Sequence, residues 1–220
     1  LIEAGADVTF SSVQTKYGSA CPMGSILSTY MRGKNDEKHR YIDLLVEHGA
    51  YIPPVATPPI FAIHRGDAKQ LGELIAQEPG LVHQRFRDLP YGNMLLRGAT
   101  LLHCAVDFGE QECIAELLKR GADINAPAEI IDGIGGQTPI FHAIATNQGN
   151  NSSTLEYLVQ QHGKAIDLSI SATWQRPGEV QAVPMTPLEY VVYASREEEP
   201  PWKRATAKEV ALLRELASRE

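Results

Sequence analysis

Apolar residues return along this chain at helical spacing in short bursts, and the bursts come in pairs. In residues 100–125, TLLHCAVDFGEQECIAELLKRGADIN, one stripe is Leu101, Leu102, Ala105 and Val106 and the next is Cys113, Ile114, Leu117 and Leu118. Spacing of this kind predicts two amphipathic helices. Thr100 stands at the N-cap position, where its hydroxyl can accept from a free N–H of the first turn. Gly109 closes the first helix, because glycine enters the left-handed cap conformation without a Cβ penalty. Lys119 and Arg120 fall in the last turn of the second, where the helix dipole favours cations, and Gly121 stops it. Two antiparallel helices with one apolar face each cannot bury both faces alone, so the unit needs neighbours.

Neighbours follow the same plan. Thr138 opens TPIFHAIA, Thr57 opens TPPIFAIHRG and Thr186 opens TPLEYVVYA, each with Pro at the first helical position, where a missing N–H costs nothing. Cys21 opens a weaker version, CPMGSIL. Second helices end in LIEAGADV at 1–8, LLVEHGAYI at 44–52, LIAQEPGLV at 74–82 and YLVQQHGKAI at 158–166.

The pattern resembles the ankyrin repeat, whose first helix opens Thr-Pro-Leu-His-x-Ala and whose second closes Leu-Leu-x-x-Gly-Ala-Asp. The best copy is 100–125, which keeps the His and Ala in TLLHCA. The resemblance covers nearly the whole chain and implies an all-α solenoid of about five stacked helix–turn–helix repeats. It divides one domain, 1–220, into a partial repeat at 1–10, repeats near 20–54, 57–98, 100–136 and 138–184, and a C-terminal cap at 186–220. Thr57, Thr100, Thr138 and Thr186 are separated by 43, 38 and 48 residues, longer than the ideal 33, so the surplus forms long hairpin-like loops. The irregularity marks a divergent member, more bacterial than metazoan in style.

The ends differ. In TAKEVALLRELASRE, Val210, Leu213 and Leu216 share a face with Leu212 beside it, and Lys208, Glu209, Arg214, Glu215, Arg219 and Glu220 are available to the other face, as a capping helix requires. Leu1 begins in the middle of a second helix, which predicts a longer natural protein or a trimmed chain, with some residues of a first repeat missing.

Composition narrows the function. The formal charge is −7 with Lys and Arg spread along the chain, so no basic stripe for nucleic acid is expected. No apolar run approaches the roughly 18 residues of a membrane span. Cys21, Cys104 and Cys113 are odd in number and lack CxxC spacing, which predicts neither a disulfide framework nor a zinc site but packed thiols in a reducing, cytoplasmic setting. DGIGGQT at 132–138 lacks the Lys-Ser/Thr of a phosphate loop and reads as a turn at a loop tip. His39, His48, His64, His83, His103, His142 and His162 show no metal-ligand spacing. His103 occupies the repeat's own His position, where the resemblance implies a ring bonded to neighbouring turns. No catalytic constellation and no small-molecule cofactor are expected. REEEPPWKR at 196–204 reads as a solvated loop, with Trp202 tucked against the helices.

Binding is expected on three loops. Residues 83–99 carry Arg85, Arg87 and Arg97 against Asp88, with Phe86, Tyr91, Met94, Leu95 and Leu96. Residues 126–136 place Ile130, Ile131 and Ile134 in a glycine-rich tip, and residues 169–185 place Trp174 beside Arg176-Pro177-Gly178 in a β-hairpin pattern. Arg and aromatic residues are enriched at binding hot spots. Phe86, Arg87, Tyr91, Arg97, Ile131, Trp174 and Arg176 are therefore the candidate partner-binding residues, with a small sheet between the loops as the competing use of their apolar groups. The resemblance implies a protein partner, bound through the concave face and the inter-repeat loops. Alternative roles are a secreted effector or toxin-neutralising immunity protein, or the binding appendage of a longer enzyme chain.

Overall fold

The structure is a computed structural model, and it describes all residues except 1–4, 12–13, 16–17, 20, 30–33, 88–96, 145–151, 175–181, 197–204 and 220. Ten α-helices lie among the described residues: α1 (Pro22–Leu27), α2 (Asn35–Glu47), α3 (Pro58–His64), α4 (Ala68–Gln77), α5 (Leu101–Phe108), α6 (Gln111–Lys119), α7 (Pro139–Ala143), α8 (Ser152–His162), α9 (Pro187–Ala194) and α10 (Ala207–Ala217). They start where the sequence places them: Cys21, Thr57, Thr100, Thr138 and Thr186 are N-caps. Gly109 closes α5 in the left-handed region at φ +72°, and its N–H reaches the carbonyls of Ala105 and Val106.

Each odd-numbered helix packs on the next even-numbered one. The pairs then stack, α3 on α5 and α5 on α7, with α4 on α6 and α8 on α10 in the second layer. The stripe periodicity demands this, since each pair leaves one apolar face for its neighbour. All eight residues of α5 are buried, because α3, α6 and α7 enclose it. One core cluster runs from Ile60 to Leu216, through Leu71, Leu102, Ile114, Ile140, Leu158, Val191 and Leu213. The pair α1–α2 has a core of its own, built on Met23, Leu27 and Ile42, against which Phe61 of α3 packs.

Polar side chains tie the pairs together. His103 Nδ1 accepts from Thr100 N–H at 3.1 Å, so its proton sits on Nε2, which donates to the Gln137 carbonyl at 2.9 Å. One ring thereby closes the start of α5 and holds the entry to α7. His142 Nδ1 lies 3.3 Å from Asp107 Oδ1, both nearly buried, which links α7 back to α5. Lys38 of α2 is 2% exposed; its Nζ lies 3.2 Å from His64 Nδ1, 3.5 Å from the Leu27 carbonyl and 4.0 Å from the Phe108 ring centre. His39 pairs with Glu110 at 3.0 Å, Asn35 donates to the Phe108 carbonyl, and Arg65 pairs with Asp43 at 2.6 Å. The α1–α2 pair is thus joined to α3–α6 through a largely polar seam.

The exits from second helices repeat too. Asp7, Asp123 and Asp167 each accept from the N–H two residues on, at 2.8, 2.9 and 2.8 Å, a local turn that competes with further helix. One reading of the C-terminal helix changes. Glu209, assigned to the polar face, is 5% exposed, because its carboxylate reaches back to Thr206 N–H and Oγ1 as half of a capping box. The upstream helix end at residues 1–4 and most of the loop at 196–204, Trp202 included, lie outside the described residues.

Beyond the helices, strands form on the loops. β1 (Gln14–Thr15) pairs with β2 (Gly18–Ser19). A four-stranded antiparallel sheet runs β3 (Ile130–Ile131), β4 (Ile134–Gly135), β5 (Ala172–Trp174), β6 (Val183–Met185) in that order. It is the small inter-loop sheet, set on a mainly helical fold.

Two outcomes test this packing. Burial holds the His103 imidazole down at about 3, with the nearby His142 adding to the effect, and burial also holds His64 well below its ordinary value. In the unfolded chain these rings titrate near 6.5, so that state takes up protons first as pH falls. Stability is therefore full above about pH 6.5 and declines as pH falls from there toward about 3. Urea midpoints measured across that range should fall. His103→Ala should lose about 2–4 kcal/mol at pH 7.5, through the cavity and the orphaned Gln137 carbonyl, and should show a shallower acid decline. Burial also pushes the Cys104 and Cys113 thiols up, so iodoacetamide should label neither under native conditions and both in denaturant.

Candidate functional site

The three loops singled out in the sequence meet along one edge of the stack. Phe86 bridges Ala99 across the base of the 83–99 loop: Phe86 N–H donates to the Ala99 carbonyl at 2.9 Å, and Gly98 N–H donates back to the Phe86 carbonyl at 2.7 Å. Arg85 Nη1 donates to the Gly98 and Pro127 carbonyls, and Glu129 N–H donates to the Arg97 carbonyl at 3.1 Å, so this loop is sewn to the 126–136 loop. Gly98 makes room for the seam: a Cβ there would strike the Glu129 side chain. The 126–136 loop then turns at Asp132 and Gly133, both with positive φ, as the two central residues of a tight hairpin turn must be. Gly135 is bonded on both sides, to Ile130 in β3 and to Thr173 in β5, and a side chain on it would strike the Glu129 carbonyl.

Register decides which positions share a face. Ile131 stands opposite Ile134, and Trp174 opposite Val183. Pairing of Gly135 with Thr173 sets Ile134 beside Trp174, so Ile131, Ile134, Trp174 and Val183 occupy one cross-strand row. Ile134 is 36% exposed and Val183 44%. The opposite face carries Ile130, which at 63% is the most exposed large apolar side chain among the described residues.

The candidate residues therefore separate. Ile131 and Trp174 stand at positions of the same cross-strand row by backbone register. Arg87 and Arg97 are exposed next to the Phe86–Ala99 bridge. Phe86 itself is only 8% exposed and belongs to the core, since the bridge to Ala99 folds its side chain onto the stack. Tyr91 and Arg176 lie outside the described residues. Sequence reasoning missed exposed apolar side chains on and after α2: Tyr41, Leu44, Val46, Tyr51 and Ile52, each between 37% and 42% exposed. On the helical wheel, Tyr41 and Leu44 fall on the flank away from His39 and Asp43, which join the next helices. The sequence signal was present in that spacing, but it does not tell an outer flank from an inner one.

Of the buried histidines, His103 is spent on backbone bonds and His142 faces Asp107. Among the described residues no cluster of three or more His, Cys, Asp or Glu could hold a metal ion, and no helix is long and apolar enough to cross a membrane.

A mouse (Mus musculus) protein, "B-cell lymphoma 3 protein homolog", is 40% identical over 70 residues, 32% of this chain. The matched stretch spans 14% of that protein's length. The crystal structure of the human ASB11 ankyrin repeat domain aligns over 96% of this chain and 73% of its own, with 20% identity and a TM-score of 0.40. The family model described as "Ankyrin repeats (3 copies)" matches residues 60–171, just over half of the chain. With its Thr-capped helix pairs, the His103 bridge and the two stacked helix layers, the chain belongs to the ankyrin-repeat family.

Proposed function

We propose that this chain binds one partner protein through its loop edge and the adjoining first-helix side, without cofactor and without catalysis. Ankyrin repeats are in general protein–protein interaction modules. The observation that carries the reading here is the joining of three long loops into one hydrogen-bonded ribbon, with Ile130, Ile134 and Val183 left in solvent. A sheet formed only to bury its own loops would hide those side chains. Exposed isoleucines on an ordered ribbon, flanked by Arg87 and Arg97, make a surface that loses little entropy on docking. Trp174 and Arg176 extend this surface in the proposal, and a reducing, cytoplasmic setting suits its three free, buried thiols.

The test is a pull-down from the source organism's lysate, followed by titration of the protein captured. A variant carrying Arg87→Ala, Arg97→Ala, Trp174→Ala and Arg176→Ala should keep its Tm and lose at least tenfold in affinity, about 1.4 kcal/mol. Equal retention of the same partner by both chains would contradict the loop-edge assignment. Phe86 is left intact because its loss would disturb the core.

A further inference from the structure

β6 and α9 form a second surface, a groove of about 350 Å³ whose lining includes Val183, Met185, Leu188 and Val192, with the charged Glu189 and Arg196 among its other lining residues. Its size falls in the range of sites that take a bound group, about 300–1,000 Å³. Val183 and Val192 are 44% and 36% exposed, so the lining is open to solvent.

Two features restrict what can occupy it. The first is the edge of the sheet. β6 is the last strand in the order, and Pro184 stands opposite Thr173 between the pairs Val183–Trp174 and Met185–Ala172. Proline has no N–H, so the ladder to β5 is carried by Val183 and Met185, and Pro184 faces outward with a carbonyl and no donor. A strand added at this edge would meet an acceptor without its reciprocal donor, so docking by side chains is favoured over strand addition. The second feature is charge. Glu189 is committed within its own capping box, accepting from Thr186 N–H at 2.8 Å and Thr186 Oγ1 at 2.9 Å. The Arg196 guanidinium lies 5.1 Å from the Tyr193 ring centre and forms no ion pair among the described residues. A cation stacked on an aromatic face in the lining of a groove is preorganised for a carboxylate.

We infer that the β6–α9 groove docks an amphipathic helix of a partner protein, whose apolar residues at i, i+3 or i+4 enter the groove and whose Asp or Glu pairs with Arg196. The inference rests on the reading of this chain as a protein-binding module; the groove adjoins the loop ribbon at Val183, but the residues tested here, Val192 and Arg196, are none of those substituted above.

A phage-displayed library of 15-residue peptides, selected on the full chain and counter-selected on Val192→Asp, tests it. Enriched peptides should show helical apolar spacing with an acidic residue on the flank. A synthetic copy should bind the chain at least tenfold more tightly than Arg196→Glu, and a peptide with that acid changed to Lys should recover affinity for Arg196→Glu. Enrichment of strand-type alternation would overturn the inference. So would equal binding to the chain and both variants, or no enrichment over the counter-selection. Both substitutions are at exposed positions, and unchanged thermal unfolding confirms that each variant is folded. Loss of the lysate partner by the loop variant alongside failure here would remove this inference and leave the proposed function standing.

Discussion

A short helix pair has two apolar faces and can cover only one of them with itself. Everything else in this chain follows from that constraint. α5 shows it most plainly: its eight residues are all buried, yet it is too short to be stable alone. Its burial comes from α3 on one side, α7 on the other and α6 behind. Polar side chains then fix the spacing that apolar contact leaves loose. His103 reaches from Thr100 to Gln137, and His142 reaches back to Asp107, so neighbouring pairs share bonds across 34 and 35 residues of sequence. Buried groups of this kind are costly if unpaired, which makes them good markers of register between repeats.

The stack in turn explains the loops. Long insertions between pairs leave at the same edge, because every pair is set in the same orientation. Side by side, they complete one another's backbone bonding, as the links from Arg97 to Glu129 and from Gly135 to Thr173 show. The resulting ribbon ends at Pro184, where a missing donor protects the open edge from pairing indiscriminately with other strands. On this ribbon Ile134 and Val183 stay exposed, and Val183 also lines the groove beside α9.

Much of this was legible in the sequence because helix starts and stops are local signals. Pro fixes φ at the first helical position, and Thr57, Thr138 and Thr186 each stand at the N-cap position before one, with Thr186 making the side-chain cap bond. The pairing of β5 with β6 was legible in the alternation on either side of residues 175–181, whose Pro177-Gly178 turn lies outside the described residues. Long-range facts were not. Strands of two or three residues carry too little pattern to set register, so the row that joins Ile131 to Trp174 needed the structure. Phe86 looked like a loop anchor for a partner, and only its bridge to Ala99 reveals that it points into the core. Lys38 gave no signal of burial, since the groups that receive it come from α1, α3 and α5. Glu209 read as a surface charge because amphipathic spacing does not register a side chain that turns back on its own cap.

The central claim is that the loop edge is ordered by the stack before any partner arrives. Hydrogen exchange of the free chain, followed residue by residue, tests it most directly. The account predicts that the N–H groups of Ala128 and Glu129, bonded to the Gln137 and Arg97 carbonyls, are protected along with those of α5 and lose protection only as the stack opens. Exchange of Ala128 and Glu129 at unfolded-chain rates while α5 stays protected would contradict it, and would make the ribbon a product of binding instead of its template.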